Sequence, residues 1–490
     1  MNRSVLILDC GATNVKACLV DESGLVLSSS SEPNETKADP FFEGGLIWDF
    51  NEIFSKLSRC VRKVTTDTVK TEIIAITATS FGVDGAVIDH NGSLIYPVIS
   101  WQCSRTWESE NNLNHYLDRE WLFKETGLQS YHFNTINKLI WLKEHRPDSF
   151  RKPCHYVLMP SLILWLLGGE LVTDATMAGT TMLTSLQTRQ FSTSVFQKLG
   201  LNIDLFPPFT EPGTTIGKLS AKTAGNFGIT TGTPLITAGH DTQFALIGSG
   251  AGINEPILSS GTWEILMTRS AAGDFKMPGR QDGITIELDA VKGIVDIGVQ
   301  WVASGFTEWI GNLLYGDTLK GPSRYETMIS EAEKVNPGAD GVIVVPEIFS
   351  GGFSGNKGRI DGFTHVTGRA QIYRAALESL CYYTRFGMKK LKKTGNFEPK
   401  YMLCSGGGSR NSLWNQLRAT ILGLPVRVPY VQEATAVGAA IIAFTGLGIF
   451  RNINEASSFM LNHQINEFLP DNDSAVYDAL YREYEEKVLK

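Results

Sequence analysis

Along the chain, short and nearly unbroken apolar runs separated by glycine-bearing turns alternate with longer stretches of helical period. The first run, Ser4 to Leu8, predicts a strand that gives way to the turn Asp9-Cys-Gly-Ala-Thr-Asn14. A second strand is predicted from Val15 to Val20, a turn at Asp21-Glu-Ser-Gly24, and a third strand from Leu25 to Ser30, together a three-strand meander. Helical spacing covers Asn51 to Val64, Trp107 to Asp118, Thr135 to Glu144, Ser161 to Leu167, Ala370 to Lys393, Ser412 to Leu422 and Thr435 to Phe444. Further strands are expected at Ile73 to Thr79, Ala86 to Asp89, Thr285 to Leu288, Gly341 to Val345, Tyr401 to Ser405 and Val426 to Pro429. A strand from Thr233 enters a turn at Gly239, and a small-residue helix resumes from Phe244 to Gly250.

The plan of the opening meander returns later in the chain. Pro256 to Thr268 again reads strand, small-residue turn, strand, so Leu8-Asp-Cys-Gly-Ala-Thr13 and Leu258-Ser-Ser-Gly-Thr262 look like one device used twice. The pattern predicts two α/β lobes of similar fold facing one another, with the boundary in the glycine-rich stretch Gly248 to Asn254. A length of 490 residues suits two large lobes. Two unrelated hairpins would give the same local wording.

A net charge of -7 argues against a general nucleic-acid or anionic-membrane binder. Any anionic substrate must be held by local backbone dipoles and a few cations. Seven cysteines with no Cys-x-x-Cys pair give neither a disulfide framework nor a zinc spacing, which suits a reducing, cytoplasmic setting. Asp9 interrupts the first apolar run too early for a signal-peptide core, and the apolar stretches at Leu162 to Leu167 and Ala434 to Phe450 are too short or too broken by glycine to span a bilayer.

The chemistry centres on Ala238-Gly239-His240-Asp241-Thr242-Gln243. An acid where a strand ends can accept a proton from a substrate hydroxyl, which makes Asp241 the candidate general base. The same residue could instead cap a helix. Three loops could cradle phosphate through backbone N–H groups: Gly11 to Asn14, Ser259 to Thr262, and Ser405 to Asn411. None is a Walker A loop, because no Gly-Lys-Ser/Thr follows. The glycines of the third would let a flat base or a phosphate approach the backbone before the helix carrying Trp414. Asp9 could hold Mg²⁺ through water or merely cap its turn. Lys16 could steady a transferred phosphoryl group or simply be a solvated strand residue.

These residues resemble the FGGY family of carbohydrate kinases, within the actin, hexokinase and Hsp70 superfamily. Phe133-Asn-Thr-Ile-Asn-Lys138-Leu-Ile-Trp141-Leu-Lys-Glu144-His145 matches the family's first signature at every defined position. Gly358-Arg-Ile-Asp-Gly362 with Gln371-Ile-Tyr-Arg-Ala-Ala-Leu-Glu378 matches the second, Phe363 being the one departure. The resemblance runs from residue 4 to about 445. Within the family the wording around Phe81-Gly-Val-Asp-Gly85, Gly239 to Leu246 and Ser259 to Leu266 is nearest to the branch acting on L-fuculose, with the L-rhamnulose branch next. Trp101-Gln-Cys103-Ser-Arg105 departs from the commoner Trp-x-Asp-x-Arg, which puts glycerol- or xylulose-type contacts in doubt.

The resemblance implies two ribonuclease-H-like lobes with an active site in the cleft between them. It further implies an N-terminal lobe over residues 1–247, a C-terminal lobe over 254–445 and a helical extension over 446–490. It implies ATP and Mg²⁺ as cofactors, a ketose phosphorylated on its primary hydroxyl, no nucleic-acid or membrane partner, and a homodimer as one open assembly. Asp241 then matches the catalytic base and Asp9 the magnesium-associated acid. Thr13, Asn14 and Lys16 match the first phosphate loop, Thr262 the second, Gln300 a nucleotide contact, and Gly407 with Asn411 the adenosine pocket. Gly82, His240 and Thr242 match the sugar site. Asp84 is added to that site on chemical grounds, since a carboxylate accepts two hydroxyl hydrogen bonds; capping the turn before Ala86 would serve it equally. A non-catalytic sugar sensor of the same fold is the rival from another class, and the joint presence of Asp9, Lys16, Asp241 and Thr262 speaks against it. An Hsp70-like machine would need a peptide-binding domain for which no residues remain.

Overall fold

Alternate residues of the first strand face opposite ways, and both sets are apolar. In β1 (Asn2–Cys10), Leu6 and Leu8 enter one core with the helix Phe50–Thr66, while Val5 and Ile7 enter another with the helix Ala434–Gly446. A strand so covered on both sides reads as a continuous apolar run, which is how it appears in the sequence. The computed structural model describes residues 2–66, 71–150, 153–316, 321–347, 357–430, 433–461 and 464–489. It divides into two compact units.

The first unit comprises residues 1–250, 286–296 and 431–462. Its main sheet adds β2 (Asn14–Asp21), β3 (Val26–Pro33), β4 (Thr71–Ser80), β5 (Thr215–Lys218) and β6 (Pro234–His240), in the order β5-β6-β4-β1-β2-β3. β1, β2 and β3 form the antiparallel meander expected from the sequence; β4 runs parallel to β1, and β6 parallel to β4.

The second unit comprises 251–285, 297–430 and 463–490. Its strands β7 (Ile257–Ser260), β8 (Trp263–Ala271), β9 (Ile294–Val302), β10 (Met402–Ser405), β11 (Val426–Pro429) and β12 (Ile465–Phe468) lie in the order β9-β8-β7-β10-β11-β12. β7 and β8 form an antiparallel hairpin, and β10 is parallel to β7. The order matches β3-β2-β1-β4 of the first unit, so the repeat read from the sequence is a repeat of topology.

Two local expectations are corrected. Trp107 to Asp118 is not one helix: Trp107–Asn111 ends at Asn112, a short turn Leu113–His115 follows, and Asp118 caps a new helix, Arg119–Thr126, by accepting from Trp121 N at 2.7 Å. Nor is there a glycine turn at Gly239. β6 runs through it to His240, and the helix Asp241–Gly248 begins at the next residue. All seven cysteines are unpaired. Among the described residues no helix is long and apolar enough to cross a membrane.

Candidate active site

Cys10, Ser80 and His240 end three parallel strands in register, so the segments that follow them open along one edge of the first sheet. That is where an α/β sheet offers a ligand crevice. Asp9 sits directly across the hairpin from Lys16. The turn between them is tight, because a Cβ on Gly11 would lie 2.6 Å from Asn14 O. Asn34 braces it, its backbone N donating to Thr13 O at 2.7 Å and its side chain to Gly11 O at 2.9 Å. Thr13 is exposed and Asn14 half-buried.

Lys16 Nζ donates to Glu433 Oε2 at 2.7 Å. Glu433 precedes the helix Ala434–Gly446 with φ of 58°. Burial works to lower the Lys16 pKa, but the bond to Glu433 and the charges of Glu433 and Asp9 together outweigh it and hold the ammonium above its usual range. Asp9 is driven the other way for an acid: burial, and then the neighbouring Asp241, push its carboxyl up to about 7, against the pull of Lys16. Three carboxyl groups, Asp9, Asp241 and Glu433, thus gather about one ammonium, with Asp9 the buried member.

Asp241 is the first residue of its helix, with its side chain about one-third exposed. The strand end before it is held from two sides. Thr79 Oγ1 donates to Gly239 O at 2.8 Å, and His240 N donates to Thr176 Oγ1 at 2.9 Å. Thr176 in turn donates its hydroxyl hydrogen to Asp174, which also accepts from Thr176 N at 2.8 Å. Only glycine fits at 239, since a Cβ there would come within 2.7 Å of Asp174 Cγ. Burial raises the Asp174 carboxyl to about 7. His240 is flanked by acids, with Nε2 at 3.5 Å from Asp241 Oδ1 and Nδ1 at 3.5 Å from Glu287 Oε2. Thr242 Oγ1 donates to Asp241 Oδ1 at 3.3 Å.

Gly82 lies beside this histidine, where a Cβ would be 3.0 Å from His240 Nε2. Asp84, two residues on, is fully buried. Its Oδ1 is ion-paired with Lys138, and its Oδ2 accepts from Trp48 Nε1 at 2.7 Å and from Trp101 N at 3.0 Å. The expectation that Asp84 receives two sugar hydroxyls therefore gives way to an anchoring role, because both oxygens already have partners and no solvent reaches them. Lys138 also donates to Val83 O at 3.1 Å, so a residue of the first signature is spent on tying the Val83-Asp84 turn.

In the second unit, Thr262 stands exposed at the tip of the β7–β8 hairpin, its carbonyl accepting from Ala303 N at 3.0 Å and Gly305 N at 3.2 Å. Gln300 is half-buried on β9. The loop after β10 packs on the same hairpin: a Cβ on Gly406 would sit 2.6 Å from Ser260 O, whereas one on Gly407 would meet nothing within 4 Å. Gly407 is therefore an open backbone surface. Asn411 caps the next helix by accepting from Trp414 N at 3.1 Å, and its amide donates to Tyr373 OH at 3.2 Å. Beneath lies the fully buried pair Arg418–Glu264, with Arg418 donating to Ser260 Oγ at 2.8 Å.

The first unit thus gathers Asp9, Lys16, Gly82, His240, Asp241 and Thr242 along one sheet edge, and the second holds Thr262, Gln300, Gly407 and Asn411. Sequence reasoning missed Glu433, Glu287, Asp174 and Thr176. Asp174 was findable as a polar pair Thr173-Asp174 breaking an apolar stretch; Glu287 and Glu433 sit hundreds of residues from Lys16 or tens from His240, with no local signal.

Residues 4–248 match the N-terminal domain, and residues 257–447 the C-terminal domain, of the FGGY family of carbohydrate kinases. The chain is 41% identical over 460 residues to L-fuculokinase of Haemophilus influenzae, covering 93% of this chain and 97% of the relative. With L-fuculokinase of Escherichia coli K12 it shares 39% over 469 residues, covering 96% and 98%. The fold of xylulose kinase from Rhodospirillum rubrum superposes with a TM-score of 0.88 at 23% identity, covering 99% of this chain and 98% of that one.

Proposed function

The chain belongs to the FGGY family of carbohydrate kinases, and from that premise we propose that it transfers the terminal phosphoryl group of ATP to the primary hydroxyl of L-fuculose, giving L-fuculose 1-phosphate. The observation that carries the sugar kinase reading furthest is the acid Asp241 at the head of a helix, locked by Thr79 and Thr176 and flanked by His240 and Asp9. The choice of L-fuculose is supported by likeness to L-fuculokinases over nearly the whole chain.

In this reading Asp241 takes the hydroxyl proton as the new O–P bond forms, and its fixed backbone supplies the in-line placement on which phosphoryl transfer depends. The sugar lies against Gly82, His240 and Thr242. Asp84 acts behind it, holding Trp48 and the Trp101 backbone in place. The amides of Thr13 and Asn14, with Lys16, take the phosphates. Thr262 adds a second phosphate contact, and Gln300, Gly407 and Asn411 take the nucleoside.

Mg²⁺ suits the donor set around Asp9. Among the described residues no three acidic, histidine or cysteine side chains group closely enough to hold a metal by themselves. Magnesium needs only one or two carboxylates and keeps water and phosphate oxygens for the rest. A carboxyl held up to about 7 by burial and a second acid is one whose ionised form a divalent cation would stabilise. When bound with ATP, such an ion neutralises charge on the phosphates. A cytoplasmic site of action fits seven unpaired cysteines.

The test is ADP release with L-fuculose, L-rhamnulose, D-ribulose, L-xylulose, D-xylulose and glycerol. The highest kcat/KM is expected for L-fuculose; a higher value for any other would reassign the substrate, and no turnover on the whole panel would remove the kinase reading.

A further inference from the structure

Glu287 lies on the strand Thr285–Leu288, between the buried Ile286 and Leu288. Its side chain is itself largely covered, and no lysine or arginine among the described residues pairs with it. What faces it is His240 and Gln243. Glu287 Oε2 accepts from Gln243 Nε2 at 2.5 Å and lies 3.5 Å from His240 Nδ1. Gln243 is fully buried, and its Oε1 has no donor among the described residues. A carboxylate enclosed in this way, with one imidazole as its only cationic neighbour, is costly unless that imidazole offers it a hydrogen.

The opposite edge of the ring is differently furnished. Nε2 faces Asp241 and, on the Gly82 side, a surface with no Cβ. Each ring nitrogen thus lies 3.5 Å from a carboxylate oxygen, and Nδ1 makes no hydrogen bond at that distance, but Glu287 is enclosed whereas Asp241 is about one-third exposed to water, so a ring hydrogen is worth more at Nδ1. Which nitrogen carries the hydrogen of a neutral histidine follows from the partner of the other.

We propose that Glu287 is a positioning residue for the acceptor site: together with Gln243 it keeps the hydrogen on His240 Nδ1 and so presents Nε2 beside Asp241 to the sugar. The last clause rests on the kinase reading; the state of the ring does not. Charge follows from the same geometry. Burial opposes the imidazolium, but Glu287 and then Asp241 outweigh it and raise the pKa above its ordinary value, with Gln243 acting in the same sense. The charged groups facing His240 are thus Glu287 at Nδ1 and Asp241 at Nε2, with Asp9, Lys16 and Glu433 acting at one remove through Asp241. Asp174 packs below through Gly239. Because the folded pKa is raised, the imidazolium persists to higher pH than in a free histidine and is lost as pH rises.

The experiment is a pH titration of the full-length protein with isotope-labelled histidine, following both ring nitrogens and assigning His240 by comparison with His240→Gln. In the wild type, the neutral ring is expected as the Nδ1–H tautomer. Glu287→Gln should lower the His240 midpoint by about one pH unit, the usual effect of removing an adjacent opposite charge. Glu287→Asp should retain part of the shift. With L-fuculose, Glu287→Gln should reduce kcat/KM for the sugar by about 10-fold while the KM for ATP changes less than about two-fold, a split that a merely structural residue would not produce. An Nε2–H tautomer in the wild type, or a midpoint within about 0.2 units in Glu287→Gln, overturns the proposal. Should Glu287→Gln fail to fold, the wild-type tautomer decides. Absence of turnover on every sugar would sink the kinase reading while leaving the ring measurement to judge Glu287.

Discussion

Replacing Gly438 by alanine sets two effects of opposite sign against one another. Gly438 lies within the helix Ala434–Gly446, where alanine is preferred to glycine by about 1 kcal/mol. Propensity alone therefore predicts a more stable protein. The packing predicts the reverse. A Cβ at 438 would stand 2.7 Å from the carbonyl carbon of Phe244 and 3.0 Å from Gly248 N, with the Phe244 oxygen nearer still. Those atoms are backbone of the helix Asp241–Gly248, and the matching Cβ at Gly248 would come within 2.7 Å of Gly438 N. Neither wall is a side chain that can swing aside, so the helices must part by about 1 Å, and overpacking of this kind costs about 1–3 kcal/mol. The net expectation is a loss of up to about 2 kcal/mol once propensity is subtracted. The displaced helix begins with Asp241, and an ångström of misplacement at a reacting group costs about 100-fold in rate. Urea unfolding of Gly438→Ala, with kcat on L-fuculose, reads both. Gly225, in the helix Ala221–Phe227, has nothing within 4 Å of its would-be Cβ and serves as control: Gly225→Ala should stabilise with kcat unchanged. If Gly438→Ala behaves as Gly225→Ala does, the backbone-to-backbone contact has no consequence and the reasoning fails.

Asp241→Asn should lower kcat by about 100-fold or more, while sugar and ATP affinity by calorimetry stay within a few-fold; retention of more than about a tenth of kcat would remove Asp241 as general base. Asp9→Asn should melt higher than the wild type at pH 8, because a carboxyl whose folded pKa is raised from 3.8 to about 7 is destabilising where it must ionise. That gap should close as pH falls below 7 and the wild-type acid regains its proton, so a pH-independent difference would contradict the assignment. Gly82→Ala should raise the KM for the sugar by about 10-fold or more with little change in melting temperature, since its Cβ would crowd His240 Nε2; an unaltered KM would place the sugar elsewhere.

Where strand and helix were set by neighbours in the chain, the sequence was readable. The helix Ser412–Leu422 and the strands Thr285–Leu288 and Val426–Pro429 fall where the apolar spacing puts them. Trp107 to Asp118 misled because its apolar positions continue in helical register across a break that Asn112 and the cap at Asp118 impose. Asp241 was visible as an acid after an apolar strand, but its support was not. The bond from His240 N to Thr176 spans 64 residues and that from Lys16 to Glu433 spans 417, and no local pattern marks either partner. Asp84 shows the converse hazard: its type suits a polyol, and only the positions of Lys138, Trp48 and the Trp101 amide show that its oxygens are already committed.

The first unit is assembled from distant stretches, and this bears on how a ribosome can deliver it. The face of its sheet formed by Val5, Ile7, Cys18, Val20, Ala75 and Ile236 is covered by Ala436 to Phe444, together with Ala456 and Met460. Those covering residues are translated about 200 residues or more after the strands they cover. Domains usually fold as they emerge, N-terminal first. Here the N-terminal sheet must wait, greasy on one side, while residues 251–285 and 297–430 of the second unit are made. The nascent chain passes through a long interval in which half its first core is open to solvent, where a holding chaperone would find it and where a stalled or shortened product would aggregate rather than persist as a folded half.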